Sequence, residues 1–79
     1  MENLVKYIVE NLVDNKEMVE VSTTEESEKV SVVTVSVAKD DIGKVIGRNG
    51  KIAGSLRTIV KSASAKTGKR FIVKIGERD

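Results

Sequence analysis

Several reactive residue types are missing from this 79-residue chain. It has no cysteine, histidine, proline or tryptophan, and its only aromatic residues are Tyr7 and Phe71. Without cysteine it can form no disulfide and offers no thiolate. Without histidine it lacks the usual base near neutral pH, and a zinc site would need carboxylates alone. We therefore expect no catalytic residues, no metal and no cofactor, which disfavours metal-dependent hydrolysis, triad chemistry and redox chemistry.

Long apolar runs are missing as well. No run approaches the roughly 18–20 residues that cross a bilayer. Acidic residues interrupt the apolar positions of the N-terminal segment, unlike in a signal peptide. A basic amphipathic helix would suit a membrane surface, but the first predicted helix is acidic. We expect a cytoplasmic protein that forms a single domain over residues 1–79, without membrane association.

Charge is unevenly distributed along the chain, whose net charge is only +2. Residues 1–28 hold eight acidic residues against two lysines, a net charge of −6, and residues 29–79 hold twelve basic residues against four acidic ones, a net charge of +8. Between Ile42 and Gly76 there are nine basic residues and no acidic residue. Solvated surfaces usually mix both signs because like charges repel. The basic segment therefore indicates a polyanionic partner, with nucleic acid favoured over an anionic membrane.

Apolar spacing predicts helices and strands in the order α-β-β-α-α-β. Spacings of three and four over residues 4–13 predict a first helix that stops near residue 15. Alternating residues at 19–22 and a β-branched run at 30–37 predict the first two strands. Alternation at 71–75 predicts the third strand.

Two further features of the strand region can be predicted from the sequence, a loop and an irregularity in the second strand. The polar segment 23–28 is predicted to be a loop. The alternation of the second strand slips between Val32 and Val33, which indicates either a bulge or a strand buried on both faces.

The two remaining helices follow the second strand. Asp40 and Asp41 lie where helix N-caps are expected, before a short helix that begins at Ile42. The second of these helices is predicted over residues 51–66, because five apolar residues share one arc of about 100°: Ile52, Leu56, Ile59, Val60 and Ala63.

A glycine-rich segment joins these helices and is the most informative motif: Gly43, Lys44, Val45, Ile46, Gly47, Arg48, Asn49, Gly50 and Lys51. It is not a P-loop, because Ile52 stands where that motif needs serine or threonine. It is not a dinucleotide fingerprint either, because its glycines are spaced four and three apart. The remaining G-x-x-G motif suits a nucleic-acid backbone, since glycines permit a tight turn and a close approach. Arg48 and Lys51 add cations, and the start of the next helix favours anions.

With the aliphatic pair Val45-Ile46 before G-x-x-G, the chain resembles a KH domain over essentially its whole length, in the type II element order. The resemblance implies an α+β fold with a three-stranded sheet and helices packed on one face. It implies binding of single-stranded RNA, with single-stranded DNA left open, the glycine-rich segment lying on the backbone of about four nucleotides. It also implies an aliphatic groove for bases, formed by Ile42, Val45 and Ile46 with Val35 or Val37. Core packing is the alternative for these groove residues.

Four positions after the loop need separate interpretation. Many KH domains have an aliphatic residue three positions after the second glycine, where this chain has Ala53 preceded by Ile52, so the phase of the helix stays open. Arg57 and Lys61 lie one turn apart on the exposed side of this helix. We interpret both side chains as solvated and not as contacting the nucleic acid.

Small residues form a stripe along the long helix: Gly54, Thr58, Ser62 and Ala65. Such residues let two helices approach closely, so a homodimer through this face is one hypothesis, and an exposed face with short side chains is the simpler one. The resemblance to small stand-alone bacterial KH proteins implies self-association and also pairing with a larger, Jag-type KH protein.

These observations together predict a non-catalytic RNA-binding protein, either a post-transcriptional regulator or an RNA chaperone. One alternative is a dimerising protein-interaction adaptor in which RNA binding is secondary. The other is an enzyme, which would have to use the adjacent pairs Asp40-Asp41 or Glu25-Glu26. Adjacent carboxylates diverge in direction, and the aspartate pair is better explained as a helix cap.

Overall fold

Three helices and three strands make up the computed structural model, which describes residues 1–78. Their order confirms the predicted α-β-β-α-α-β arrangement: α1 (Glu2–Glu10), β1 (Glu20–Glu25), β2 (Val30–Val37), α2 (Ile42–Ile46), α3 (Lys51–Ser64) and β3 (Arg70–Glu77). Short 3-10 turns occupy Lys16–Met18, Lys39–Asp41 and Arg48–Gly50. Within residues 1–78, no helix is long and apolar enough to cross a membrane.

The sheet has the strand order β1-β2-β3, with β1 antiparallel and β3 parallel to the central strand β2. Val33 pairs with Val73, and Val35 pairs with Val21 on one side and Ile75 on the other. Because alternate residues of a strand point to opposite faces, these pairs all lie on one face. The helices cover that face, as the predicted fold class requires.

The core lies between this face and the helices. It contains three valines of β2 and Val73 of β3, together with Val5 and Val9 of α1, Val45 of α2, and Leu56 and Val60 of α3. The remaining core residues, Val13 and Val19, flank the connection between α1 and β1. Almost every core residue is a valine, which packs well on a pleated sheet and has little side-chain entropy to lose.

The phase slip in β2 is explained by burial on both faces. The pairing of β2 with both neighbours is continuous, so there is no bulge. Ser31, Val32 and Val33 are all buried. Val32 lies on the outer face between Thr24 and Ile72 in neighbouring strands, and these neighbours shield it.

Two predicted boundaries are wrong. The segment 23–28 is not all loop, because β1 continues to Glu25 and pairs with Ser31, leaving a shorter turn. The helix α1 ends at Glu10, about one turn before residue 15. There the side-chain amide of Asn11 donates a hydrogen bond to the carbonyl of Tyr7 (2.7 Å), which competes with continued helix.

The buried face of α3 is rotated from the predicted arc. The buried residues are Ala53, Leu56, Val60 and Ser64. Ile59 is 42% exposed and Ala63 is exposed, so these two residues of the apolar arc lie outside the buried face. Ala53 and Ser64 are buried although their side chains are small, and a search for periodic large apolar residues does not reveal such positions.

Candidate nucleic-acid interface

The loop between α2 and α3 has a backbone that L-residues with side chains rarely adopt. Gly47 has φ 74° and ψ 176°, and Gly50 has φ 75°. Asn49 also has a positive φ, 56°, and asparagine is one of the residues that tolerate it. The N–H of Gly50 donates to the carbonyl of Gly47 (3.2 Å) and closes the turn. This conformation leaves the two ends of the loop without any side chain.

Ile52 packs directly against Gly47. A Cβ placed on Gly47 would lie 2.6 Å from Cγ1, 2.8 Å from Cβ and 2.9 Å from Cδ1 of Ile52. Ala53 is 3% exposed and faces the core. The sequence left the phase of α3 open at these two positions, and the structure shows that Ala53 is buried while Ile52 packs against Gly47 of the loop.

The polar side chains of the loop point into solvent. Arg48, Asn49 and Lys51 are exposed, and neither Arg48 nor Lys51 belongs to an ion pair among residues 1–78. Lys51 is also the first residue of α3, a helix end where backbone N–H groups favour anions. The loop therefore combines two glycines that carry no side chain with two cations that have no ion-pair partner among residues 1–78.

The groove expected beside the loop is only partly formed by the residues assigned to it. Ile46 is 37% exposed and Ile42 is half-buried, so both present aliphatic surface. Val35, Val37 and Val45 are fully buried. Placing their side chains on a groove surface was wrong, because β2 is the central strand and its inward face is covered by the helices.

Lys44 lies on α2, close to the loop residues, but its side chain is directed towards the segment that follows α1. Its Nζ forms an ion pair with Asp14 and a second with Asp41, at 3.4 Å. The Asp14 carboxylate raises the pKa of Lys44 above its ordinary value, against an opposing effect of burial. Lys44 is therefore already paired, unlike Arg48 and Lys51. The nearby Gly43 is exposed.

Asp41 has a different role from the predicted helix cap. Its side chain is 1% exposed and makes no capping bond to α2. Instead, its carboxylate accepts hydrogen bonds from the N–H of Asp14 (3.3 Å), the N–H of Asn15 (3.0 Å) and the side-chain amide of Asn15 (3.0 Å). The bond from the Asn15 N–H is the main reason that the pKa of Asp41 is below its ordinary value. We call these contacts, with Lys44, the Asp41 clamp.

The Asp41 clamp was not found from the sequence, because its partners are 26 and 27 residues away along the chain. The one available signal was an aspartate directly before an apolar helix. Asp40 is exposed while Asp41 is buried, so these adjacent carboxylates do not share a site.

The stripe of small residues on α3 is fully accessible. Gly54, Thr58, Ser62 and Ala65 are all exposed, and the hydroxyl of Thr58 donates to the carbonyl of Gly54 (3.0 Å). A homodimer interface and a simple exposed face with short side chains both require this exposure, so the exposure does not distinguish between them.

Comparison with known proteins identifies several relatives. Residues 2–75 match the family model described as KhpA/KhpB, KH domain. The chain is 45% identical over 75 residues to the RNA-binding protein KhpA of Caldanaerobacter subterraneus, covering 95% of this chain and 99% of that protein. It is 42% identical over 77 residues to the RNA-binding protein KhpA of Aquifex aeolicus, covering 98% and 96%. The RNA-binding protein KhpA of Borreliella burgdorferi is 38% identical over 72 residues, covering 91% and 87%. No solved structure gives a significant match.

Proposed function

Because the chain belongs to the KhpA/KhpB family of KH domains, we propose that it is a cytoplasmic RNA-binding protein that holds single-stranded RNA at its glycine loop. Its cellular role would be that of a post-transcriptional regulator or an RNA chaperone. The family is one of RNA-binding proteins, which also argues against the enzyme alternative.

One observation carries this proposal: the loop combines two glycine ends with two cations that have no ion-pair partner among residues 1–78. Both ends of the loop are glycines at positive φ and carry no Cβ, so a sugar-phosphate chain can approach the backbone closely. Arg48 and Lys51 are exposed on either side of Asn49. Phosphate contacts give affinity but no base selectivity, so binding should be modest and strongly salt-dependent.

Base contacts fall to the aliphatic surface that remains accessible beside the loop. Ile42 and Ile46 of α2 provide it, and the buried Val45 holds α2 against the core. A base can cover aliphatic side chains without the aromatic stacking on which RRM and OB folds depend. Single-stranded DNA offers the same bases and phosphates, and only contacts to the 2′-hydroxyl would favour RNA.

Reversing the charge of the loop tests the proposal. The double substitution Arg48→Asp with Asn49→Asp places two carboxylates where a phosphate would lie. Aspartate tolerates a positive φ much as asparagine does, so the loop conformation should persist. We expect the affinity for single-stranded RNA, measured by fluorescence anisotropy, to fall at least about 100-fold. Circular dichroism and the melting temperature should stay near those of the wild type.

A matched control separates the loop from net charge. Asn3→Asp with Lys6→Asp changes the net charge by the same three units at exposed positions on α1. This control should keep RNA binding within about threefold of the wild type at 150 mM salt, because the Debye length is then about 8 Å. If the loop variant binds as well as this control, the loop is not the RNA site.

We also propose that the protein forms a homodimer through the stripe on α3. Small residues let two helices approach closely, and Ile59, which is 42% exposed, adds apolar area beside the stripe. A chain of 79 residues has a small core and gains stability from association. Pairing with a larger, Jag-type KH protein stays a prediction; the matching family model covers both KhpA and KhpB.

Introducing arginine into the stripe tests the homodimer. Ser62→Arg should raise the dimer dissociation constant at least about tenfold, since a two-fold interface contains the substitution twice and the like charges repel. Sedimentation velocity at micromolar concentration measures this change. The exposed Ser22 of β1 provides the control Ser22→Arg, which should leave the dimer intact. A monomeric wild type at these concentrations contradicts the proposal.

A further inference from the structure

A basic cleft lies between the C-terminal half of α3 and the start of β3. Its volume is about 710 Å³ and its lining contains no acidic residue. We define the basic cleft by its five cations and one exposed apolar residue: Lys29, Arg57, Lys61, Lys69, Arg70 and Ile72. Arg57 and Lys61 are the residues that the sequence suggested were merely solvated.

Three separate chain segments bring these cations together. Arg57 and Lys61 come from one side of α3. The N–H of Arg70 donates to the carbonyl of Lys29 (2.7 Å), which joins the start of β3 to the turn before β2. Lys69 forms an ion pair with Glu25 at 3.0 Å, but no ion pair within residues 1–78 involves the other four cations. Like charges gathered in a concave surface attract a polyanion, because the cleft focuses their field.

The floor of the basic cleft is apolar. Val30, Phe71, Ile72 and Val73 line it beneath the cations. Phe71 is only half-buried, and it is the only phenylalanine of the chain. Positive charge around an apolar or aromatic floor is the arrangement used by surfaces that bind single-stranded nucleic acid. A flat membrane surface would not reach into a concavity of this kind.

The basic cleft lies further along α3 than the loop. A nucleic-acid strand bound at the loop is therefore within reach of the basic cleft. The helix α3 begins at the loop, and its cleft residues Arg57 and Lys61 lie about 9 and 15 Å further along its axis. A strand held at the loop can therefore continue along α3 into the basic cleft.

We propose that the basic cleft binds the continuation of the RNA strand held at the loop, with Arg57, Lys61 and Arg70 contacting phosphates and the apolar floor contacting bases. This inference rests on the proposed function, and it extends the bound length beyond the nucleotides at the loop. The cleft would thus make affinity depend on RNA length.

Removing two cations of the basic cleft tests the inference. Arg57→Gln with Lys61→Gln preserves helix propensity. The probes are fluorescein-labelled RNAs of random sequence, 4 or 12 nucleotides long. We expect this variant to bind the 4-mer within about twofold of the wild type and the 12-mer about tenfold more weakly. For the 12-mer, the slope of log K against log salt should fall by about 1.4, which corresponds to two single-strand phosphate contacts.

The control replaces two cations elsewhere. Lys6→Gln with Lys16→Gln makes the same charge change at exposed sites in the acidic part of the chain, and should bind both RNAs like the wild type. In NMR spectra of the wild type, the 12-mer but not the 4-mer should shift the amide signals of Gly68 and Ile72.

The outcomes separate this inference from the proposed function. If the cleft variant binds the 12-mer like the control, or weakens both RNAs equally, the basic cleft does not bind the continuing strand. If the wild type binds neither RNA, the proposed function fails together with the inference. If the loop variant Arg48→Asp with Asn49→Asp loses both RNAs while the cleft variant loses only the length dependence, both are supported.

Discussion

Replacing Gly47 with alanine is expected to lower the free energy of unfolding by about 3 kcal/mol. Two costs combine. The backbone at φ 74° and ψ 176° is a conformation almost restricted to glycine. A Cβ on residue 47 would also lie 2.6–2.9 Å from three carbons of Ile52. One of these three is the Cβ of Ile52, which cannot move away by side-chain rotation. Urea denaturation followed by circular dichroism measures the change, provided that the m-value stays constant.

Other glycines of the same chain act as controls. Gly50 has φ 75° but nothing within 4 Å of an added Cβ, so Gly50→Ala should cost only about 1 kcal/mol. Gly54 lies within α3 with open space around it, and Gly54→Ala should stabilise the protein by about 1 kcal/mol. If Gly47→Ala and Gly50→Ala cost the same, the contact with Ile52 contributes nothing.

A double-mutant cycle isolates that contact. Ile52→Ala removes Cγ1 and Cδ1, two of the three close atoms. In this background, Gly47→Ala should cost about 1 kcal/mol less than in the wild type. The remaining cost combines the strain of the positive φ with the close contact to the Cβ of residue 52, which Ile52→Ala retains.

Replacing Asp41 with alanine is expected to lower the melting temperature by about 10 °C. The N–H groups of Asp14 and Asn15 would lose their acceptor, and Lys44 would keep only one of its two carboxylate partners. Because the Asp41 clamp joins the segment after α1 to the start of α2, its loss should loosen the helix that leads into the loop. Thermal unfolding by circular dichroism measures the effect. The neighbouring Asp40 is exposed, so Asp40→Ala should change the melting temperature by less than about 2 °C.

The contribution of Asp41 should also depend on pH. Hydrogen bonds from Asn15 and Asp14 lower the pKa of Asp41 in the folded protein, whereas the unfolded chain should have an ordinary value of about 3.9. The stabilisation from its charge is therefore complete well above pH 4 and is lost as the pH falls through the folded pKa. The difference in melting temperature between the wild type and Asp41→Asn should be largest near pH 6 and become smaller below about pH 4. A difference that stays constant over this range would mean that the charge of Asp41 does not stabilise the fold.

Much of the secondary structure follows from local pattern. The β-branched run of β2 and the apolar spacing of α3 were recognised correctly, because each depends only on neighbours within a few residues. The orientation of α3 was not, because two of its buried residues, Ala53 and Ser64, have no large apolar side chain that would mark them in the sequence. The end of α1 was also missed, because the side chain of a single asparagine competes with the helix there.

The sequence by itself determined the chemistry open to this protein. A chain without cysteine or histidine, with an acid-free basic segment around G-x-x-G, is suited to hold a polyanion and poorly suited to catalysis. Only the tertiary structure decided which of the candidate residues are accessible and which are buried or paired. It buried Val35, Val37 and Val45, paired Lys44 with Asp14, placed Ile52 under the loop, and gathered cations from three segments into the basic cleft. The physical reason is that most of these arrangements join residues far apart along the chain, and local periodicity contains no information about such contacts.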